Sequence, residues 1–285
     1  MAPAVPRTDD RGLIPAEALA LVPGAVPGAT PVEGLTGGSV NELWSVKTPR
    51  GRFALRLDGA AWRRPGVDRH RERLVHEAAA AAGLAPRIVA VSPRADTWVF
   101  EFRDGRRWTT LDYADERQLL RWSSRLVQLH GLPVPVGLRE PFAPRQLARD
   151  YAAQARARGV ELPAVQLDST LRAITDAQAL LDRAGQPLAL VHGDATAGNV
   201  LDDGALWLID WEYAQLADPV FDLAILFTYY PAADRYRERL LDAADLGADA
   251  AARLAAAETI HAHLSWLWYA ARGEAPAVAL KPSTR

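Results

Sequence analysis

Apolar and polar positions alternate through much of residues 31–102, and helical spacing takes over beyond them. Residues 14–22 suit a short helix, with Pro15 in its first turn and Pro23-Gly24 ending it. From about Pro31, VEGLTGG and then VNELWSVKTPRGRFALRL read as strands, the latter two runs joined by the turn Thr48-Pro49-Arg50-Gly51. Residues 68–82 are Ala-rich with charges on one side and predict a helix, stopped by Gly83 with Pro86 following. Residues 88–91 and 98–102 predict two more strands, and Phe102-Arg103-Asp104-Gly105 reads as a linker.

The second half predicts helices at 115–130, closed by Gly131 and Pro133, then at 145–159 and 168–184. A small β unit interrupts them. Leu190-Val191 is a short strand, and His192-Gly193-Asp194 turns out of it. Residues 199–201 and 205–209 predict a hairpin around Asp202-Asp203-Gly204, with Asp210 where the return strand stops. Ala-rich helices follow from Asp222 to the end, and no internal repeat is present.

Composition narrows the function classes. The 285 residues suffice for one large or two modest domains. A net charge of −2 supplies no basic field for nucleic acid or anionic membrane. The arginines Arg63, Arg64, Arg69, Arg71 and Arg73 are interrupted by Asp68 and Glu72 and read as a solvated helix face. The absence of cysteine excludes disulfides, thiol catalysis and Cys-bound metals. The first twelve residues are Pro-, Asp- and Arg-rich, read as loosely held, and lack a signal peptide's apolar stretch; no apolar run spans a bilayer. The expected compartment is the cytoplasm, which also supplies ATP. Oligomeric state is not legible.

The chemistry concentrates in residues 190–224. Asp194 is followed five positions later by Asn199, and a strand then delivers Asp210. That layout serves ATP-dependent phosphoryl transfer, in which one carboxylate receives the proton of an attacking hydroxyl while an amide oxygen and a second carboxylate hold magnesium. Oxygen donors suit a hard cation that keeps several waters. A His-based metal hydrolase is the competing reading of His192-x-Asp194, but His70, His76, His130, His261 and His263 lack ligand spacing. A nucleotide-binding protein without catalysis is another, opposed by the intact Asp194, Asn199 and Asp210.

HGDATAGNV followed by LIDWEYA resembles the catalytic loop and metal motif of the aminoglycoside phosphotransferase and choline kinase superfamily, which shares the protein-kinase fold. The LIDWEYA form is more similar to choline kinases and bacterial thiamine kinases than to the antibiotic-modifying members. The resemblance runs from about residue 30 onward. It implies an α+β, two-lobed fold: an N-terminal segment at 1–29, an antiparallel-sheet nucleotide lobe with one helix at 30–102, and a mostly helical catalytic and acceptor lobe at 103–285. It further implies that Asp194 is the catalytic base, with His192 grouped beside it as the brace of the loop. Asn199 and Asp210 become magnesium ligands, and Asp222 a structural support.

On the nucleotide side, GLTGGSVN resembles the glycine-bearing loop of thiamine kinase-like proteins, which points to Gly37, Gly38 and Ser39 at the phosphates. Arg56 on the third strand is the expected phosphate cation, with Lys47 as rival, and its helix partner is Glu72 or Glu77. TWVFEFRDGR resembles the family's hinge and places Glu101, Phe102 and Arg103 at the adenine. On the acceptor side, HLSWLWYAA resembles the Trp-bearing C-terminal helix of choline kinases, with Ser265 where they usually carry Trp. Trp211, Glu212 and Trp268 are the expected acceptor contacts. The carboxylates between Asp242 and Glu258 are too dispersed for a polycation, so the expected acceptor is a small cationic alcohol held by aromatic faces. Thiamine comes first, choline or ethanolamine next, and aminoglycosides or sugars behind.

Overall fold

The computed structural model describes residues 14–35, 41–59, 64–247 and 249–274. Gly37, Gly38 and Ser39 of the expected phosphate loop lie outside them, as do the first thirteen and last eleven residues.

The first lobe begins with a single helical turn, α1 (Ala16–Leu19), shorter than its sequence pattern. It is followed by β1 (Val32–Leu35), β2 (Asn41–Thr48), β3 (Gly51–Asp58), α2 (Arg69–Ala81), β4 (Ile88–Val91) and β5 (Thr97–Glu101). The strands form one antiparallel sheet in the order β1-β2-β3-β5-β4. The pairing of Thr48 with Gly51 leaves Pro49-Arg50 as the two-residue loop of the expected hairpin. Alternation along β3 sends Phe53, Leu55 and Leu57 into a core with Ile14, Leu19, Val46 and Val99. It sends Arg56 to the opposite face, toward the cleft. Asp68 caps α2 by accepting from the His70 and Arg71 amides at 2.9 and 3.0 Å. The inner stripe of α2 is Arg69, Glu72, Val75, His76 and Ala79, so two charged side chains are carried inward at helical spacing.

The second lobe opens with β6 (Arg106–Arg107), a strand just after the Phe102–Gly105 linker, where helix was expected. It adds to the hairpin of β8 (Val200–Asp202) and β9 (Leu206–Leu208). Around them stand α3 (Glu116–His130), α4 (Pro144–Ala157), α5 (Ala164–Ala184), α6 (Val220–Tyr229), α7 (Arg237–Ala244) and α8 (Ala250–Arg272). α5 begins four residues before the expected Asp168, because Leu167 is already buried in its first turn. β7 (Ala189–Val191) pairs antiparallel with β10 (Gln215–Ala217), a strand too short for alternation to reveal. Asn199 lies in a 3₁₀ turn, Ala197–Asn199, one step before the strand expected to contain it. α6 is buried on nearly every side, from Val220 to Phe227, and anchors the lobe against α8. Among the described residues no helix is long and apolar enough to cross a membrane.

Candidate active site

The loop after β7 is held from beneath. Asp222, on α6, accepts the amide of His192 at 3.1 Å through Oδ2 and that of Gly193 at 2.9 Å through Oδ1, while His130 Nε2 lies 2.9 Å from Oδ2. Burial alone would raise this carboxyl; the His130 contact and the amide donors outweigh it and hold it below its ordinary value. Gly193 has φ +75°, and a Cβ there would lie 2.3 Å from the Tyr213 carbonyl oxygen. Only glycine fits both the dihedral and the space.

His192 is fully buried. Its Nε2 donates to the Ile209 carbonyl at 3.1 Å, and its Nδ1 accepts the Asp194 amide at 3.2 Å. Burial lowers it to about 4, so the ring is neutral. It borders neither cavity described below. Both ring nitrogens are thus spent on backbone, between the Asp194 loop and the strand that leads to Asp210.

Asp194, Asn199 and Asp210 converge. The Asn199 amide nitrogen donates to the Asp194 carboxylate at 2.8 Å and to its carbonyl at 2.9 Å, which leaves the Asn199 side-chain oxygen for another partner. Asp210 adopts the left-handed backbone region at φ 63°. Its Oδ1 is buried and lacks a hydrogen-bond donor among the described residues. Burial and the neighbouring Glu212 carboxylate push Asp210 up to about 7. Burial, with Asp210 and Glu212 nearby, drives Asp194 well above its ordinary value. An orphaned buried carboxylate oxygen, on cavity walls that Asn199 also lines, fits a divalent ion. The donor set is too small for a complete protein cage, as suits magnesium, which retains waters and takes the rest of its shell from phosphates.

Two cavities meet here. One, of about 300 Å³, lies between the lobes and is lined by Arg56, Glu72, Phe100, Glu101, Phe102 and Arg103 among others. The second, of about 530 Å³, lies in the helical lobe and is lined by Asp194 together with Tyr151, Tyr213, Tyr229, Tyr230, Trp268 and Tyr269. Asn199, Asp210 and Glu212 border both.

At the first cavity, Arg56 grips Glu72 with both terminal nitrogens, at 2.6 and 3.3 Å, and its Nε lies 3.1 Å from Asp58. Burial would lower the guanidinium; Glu72 and Asp58 outweigh it and hold it above its ordinary value. Glu77, the rival partner, pairs with Arg73 in solvent. At the hinge, the Glu101 amide donates to Arg87 and the Phe102 amide to Arg52, at 2.9 and 3.2 Å. The Arg103 amide carries no hydrogen bond among the described residues. The Arg103 guanidinium stacks on Trp207, 3.9 Å from the ring centroid.

Two expectations change at this point. The arginine cluster before α2 is not simply a solvated face. Arg69 joins Asp58 at 2.8 Å and Glu72 at 2.6 Å and reaches Glu212 at 3.4 Å, and the Arg64 side chain is only 8% exposed and pairs with Glu212. Their carboxylates come from β3, α2 and the turn after Asp210, a convergence that local charge spacing does not reveal. Trp211, expected at the acceptor, is fully buried. It packs against His192 and His76, and its Nε1 donates to the Leu208 carbonyl at 3.0 Å. It borders the interlobe cavity and not the second one, where Tyr213 and Trp268 stand, joined by an indole-to-phenol hydrogen bond of 3.0 Å.

A model of the phosphotransferase enzyme family matches residues 31–273. No curated protein sequence matches the chain. Among solved structures, a choline/ethanolamine kinase family protein from Mesorhizobium loti shares 25% identity with a TM-score of 0.72, covering 89% of this chain and 83% of its own. The choline kinase LicA from Streptococcus pneumoniae gives 21% identity and 0.67, with 85% of each chain covered. A thermostable mutant of an aminoglycoside phosphotransferase, in ternary complex with AMP-PNP and hygromycin B, gives 18% and 0.64, with 90% and 91% covered.

Proposed function

The chain belongs to the phosphotransferase enzyme family, and on that premise we propose that it moves the γ-phosphoryl group of ATP onto the hydroxyl of a small cationic alcohol in the cytoplasm. The observation that carries this reading is the meeting of an interlobe cavity and an aromatic-lined cavity at Asn199, Asp210 and Glu212. The AMP-PNP in the aminoglycoside phosphotransferase complex supports ATP as donor.

In this reading the interlobe cavity takes the nucleotide. The Arg103 amide and its neighbours Glu101 and Phe102 face the adenine, and Arg56, held by Glu72, faces the phosphates. Asn199 and Asp210 would hold magnesium, which would supply charge neutralisation for the phosphates. Asp194 takes the acceptor proton. His192 and Asp222 fix its loop, so little reorganisation remains for the reaction step.

The acceptor reading rests on the rings. Tyr151, Tyr213, Tyr229, Tyr230, Trp268 and Tyr269 offer faces to a single cationic nitrogen, at about 0.5–2 kcal/mol per contact. Glu212 is already engaged by Arg64 and Arg69, so it adds little free negative charge. The second cavity is thus short of carboxylates for a polycation, which favours thiamine, choline or ethanolamine over an aminoglycoside. The test is ATP consumption with magnesium across thiamine, choline, ethanolamine and kanamycin. Turnover with one of the first three, reduced at least about 100-fold by Asp194→Ala, is expected. A drop of only a few-fold would remove Asp194 from the role of base.

A further inference from the structure

Five of the six histidines have settled roles or open surroundings. His76 bonds the Pro86 carbonyl at 2.7 Å, His130 bonds Asp222, His192 braces the catalytic loop, His263 meets the Thr170 hydroxyl at 3.1 Å, and His70 is exposed. His261 differs. It stands on α8 one turn before Ser265 and two before Trp268, and all three border the acceptor-side cavity. Its ring packs edge-on against Tyr229, with centroids 5.3 Å apart. Its Nδ1 is buried without a hydrogen-bond partner, and the ring makes no hydrogen bond among the described residues.

Burial lowers His261 to about 4, so the imidazole is neutral and keeps a nitrogen lone pair. The neighbouring Ser265 hydroxyl is committed to Tyr229 at 3.3 Å. The His261 imidazole is therefore an unspent hydrogen-bonding group on the wall of this cavity, among aromatic faces. A trimethylammonium head can lie against the rings but has no N–H to give. A primary ammonium or an aminopyrimidine can do both. A site with an unpaired polar group discriminates against a ligand that leaves it unpaired.

We propose that His261 selects the acceptor, by accepting a hydrogen bond from an N–H group at the end of the molecule remote from the reacting hydroxyl. This rests on the acceptor cavity assigned above and narrows its substrate class to alcohols that carry an N–H donor. His261 acts on recognition and takes no part in phosphoryl transfer.

The experiment measures kcat and KM for ethanolamine, thiamine and choline with the wild-type chain, His261→Phe and His261→Gln, each checked for folding by thermal melting. The wild type is expected to favour ethanolamine or thiamine over choline by about 10- to 100-fold in kcat/KM. His261→Phe should collapse that ratio through the KM of the N–H-bearing acceptor, and His261→Gln should restore part of it. Choline used as well as the others, or a uniform loss across all three in His261→Phe, overturns the inference and leaves the phosphotransferase reading in place. ATP-dependent turnover of none of the three counts against both.

Discussion

Gly193 and Tyr213 touch through their backbones: a Cβ on residue 193 would sit 2.3 Å from the Tyr213 carbonyl oxygen and 3.0 Å from its carbon. The contact locks the loop that carries Asp194 to the turn that follows Asp210. It packs the two halves of the site together through main chain, beside the His192 side-chain bond to Ile209.

Gly193→Ala should therefore separate those halves. The obstacle is backbone, which cannot swing aside, and φ +75° adds strain for any L-side chain. A stability loss of about 2–4 kcal/mol and a fall in kcat of at least about tenfold are expected. Gly198→Ala is the matched control, because nothing lies within 4 Å of a Cβ there. Urea melts and steady-state kinetics on both variants check it; equal behaviour would refute the contact's role.

Arg56 and Glu72 form a buried two-pronged pair, so Arg56→Lys is not conservative. An ammonium is a compact point charge without the planar fork that spans Glu72 and Asp58, and both carboxylates keep their burial. The expected outcome is a KM for ATP raised about tenfold and a loss of about 1–3 kcal/mol in stability. Glu77→Gln, which breaks an exposed pair with Arg73, should stay within about 0.5 kcal/mol of wild type. Larger effects at Glu77 than at Arg56 would contradict the assignment.

Asp210 makes a pH-dependent cost visible. Its folded value of about 7 lies above the 3.8 of an ordinary Asp, so the folded state binds the extra proton between those values. Folded-state stability from this group is full below about pH 4 and is lost as pH rises through about 7. In metal-free buffer at pH 8, Asp210→Asn should be more stable than wild type by about 1–3 kcal/mol, with the difference vanishing near pH 4. Added magnesium and nucleotide should stabilise the wild type more than the variant, since binding to the folded state adds to its stability. Chemical denaturation at pH 4, 6 and 8 reads this directly. A variant less stable than wild type at pH 8 without metal would show that Asp210 is not stressed by burial and Glu212.

Much of the site was legible because its logic is short-range. Gly193 announces a turn, Asp194 and Asn199 are close enough to bond each other, and the β8–β9 hairpin returns the chain to Asp210. Glu72 and Glu77 could not be separated by composition. The helix separates them, since Glu72 shares a stripe with Val75, His76 and Ala79 while Glu77 points to solvent. β6 and β10 were missed because two- and three-residue strands carry no measurable alternation. The two-lobed fold and the small-molecule phosphotransferase family follow from motifs that survive in the chain order.

Local chain chemistry determined which residues bend, which pair across a turn and which strand face Arg56 occupies, since those depend on dihedral preference and period. Tertiary structure alone decided that Arg64 and Arg69 are sheltered, that Trp211 is buried beside the interlobe cavity, and that His261 borders the second cavity with its Nδ1 unbonded. Each of those outcomes depends on partners brought from distant parts of the chain. Glu212 stands 148 residues from Arg64 and 143 from Arg69, and the worth of a buried charge or an idle imidazole is set by the groups that close around it.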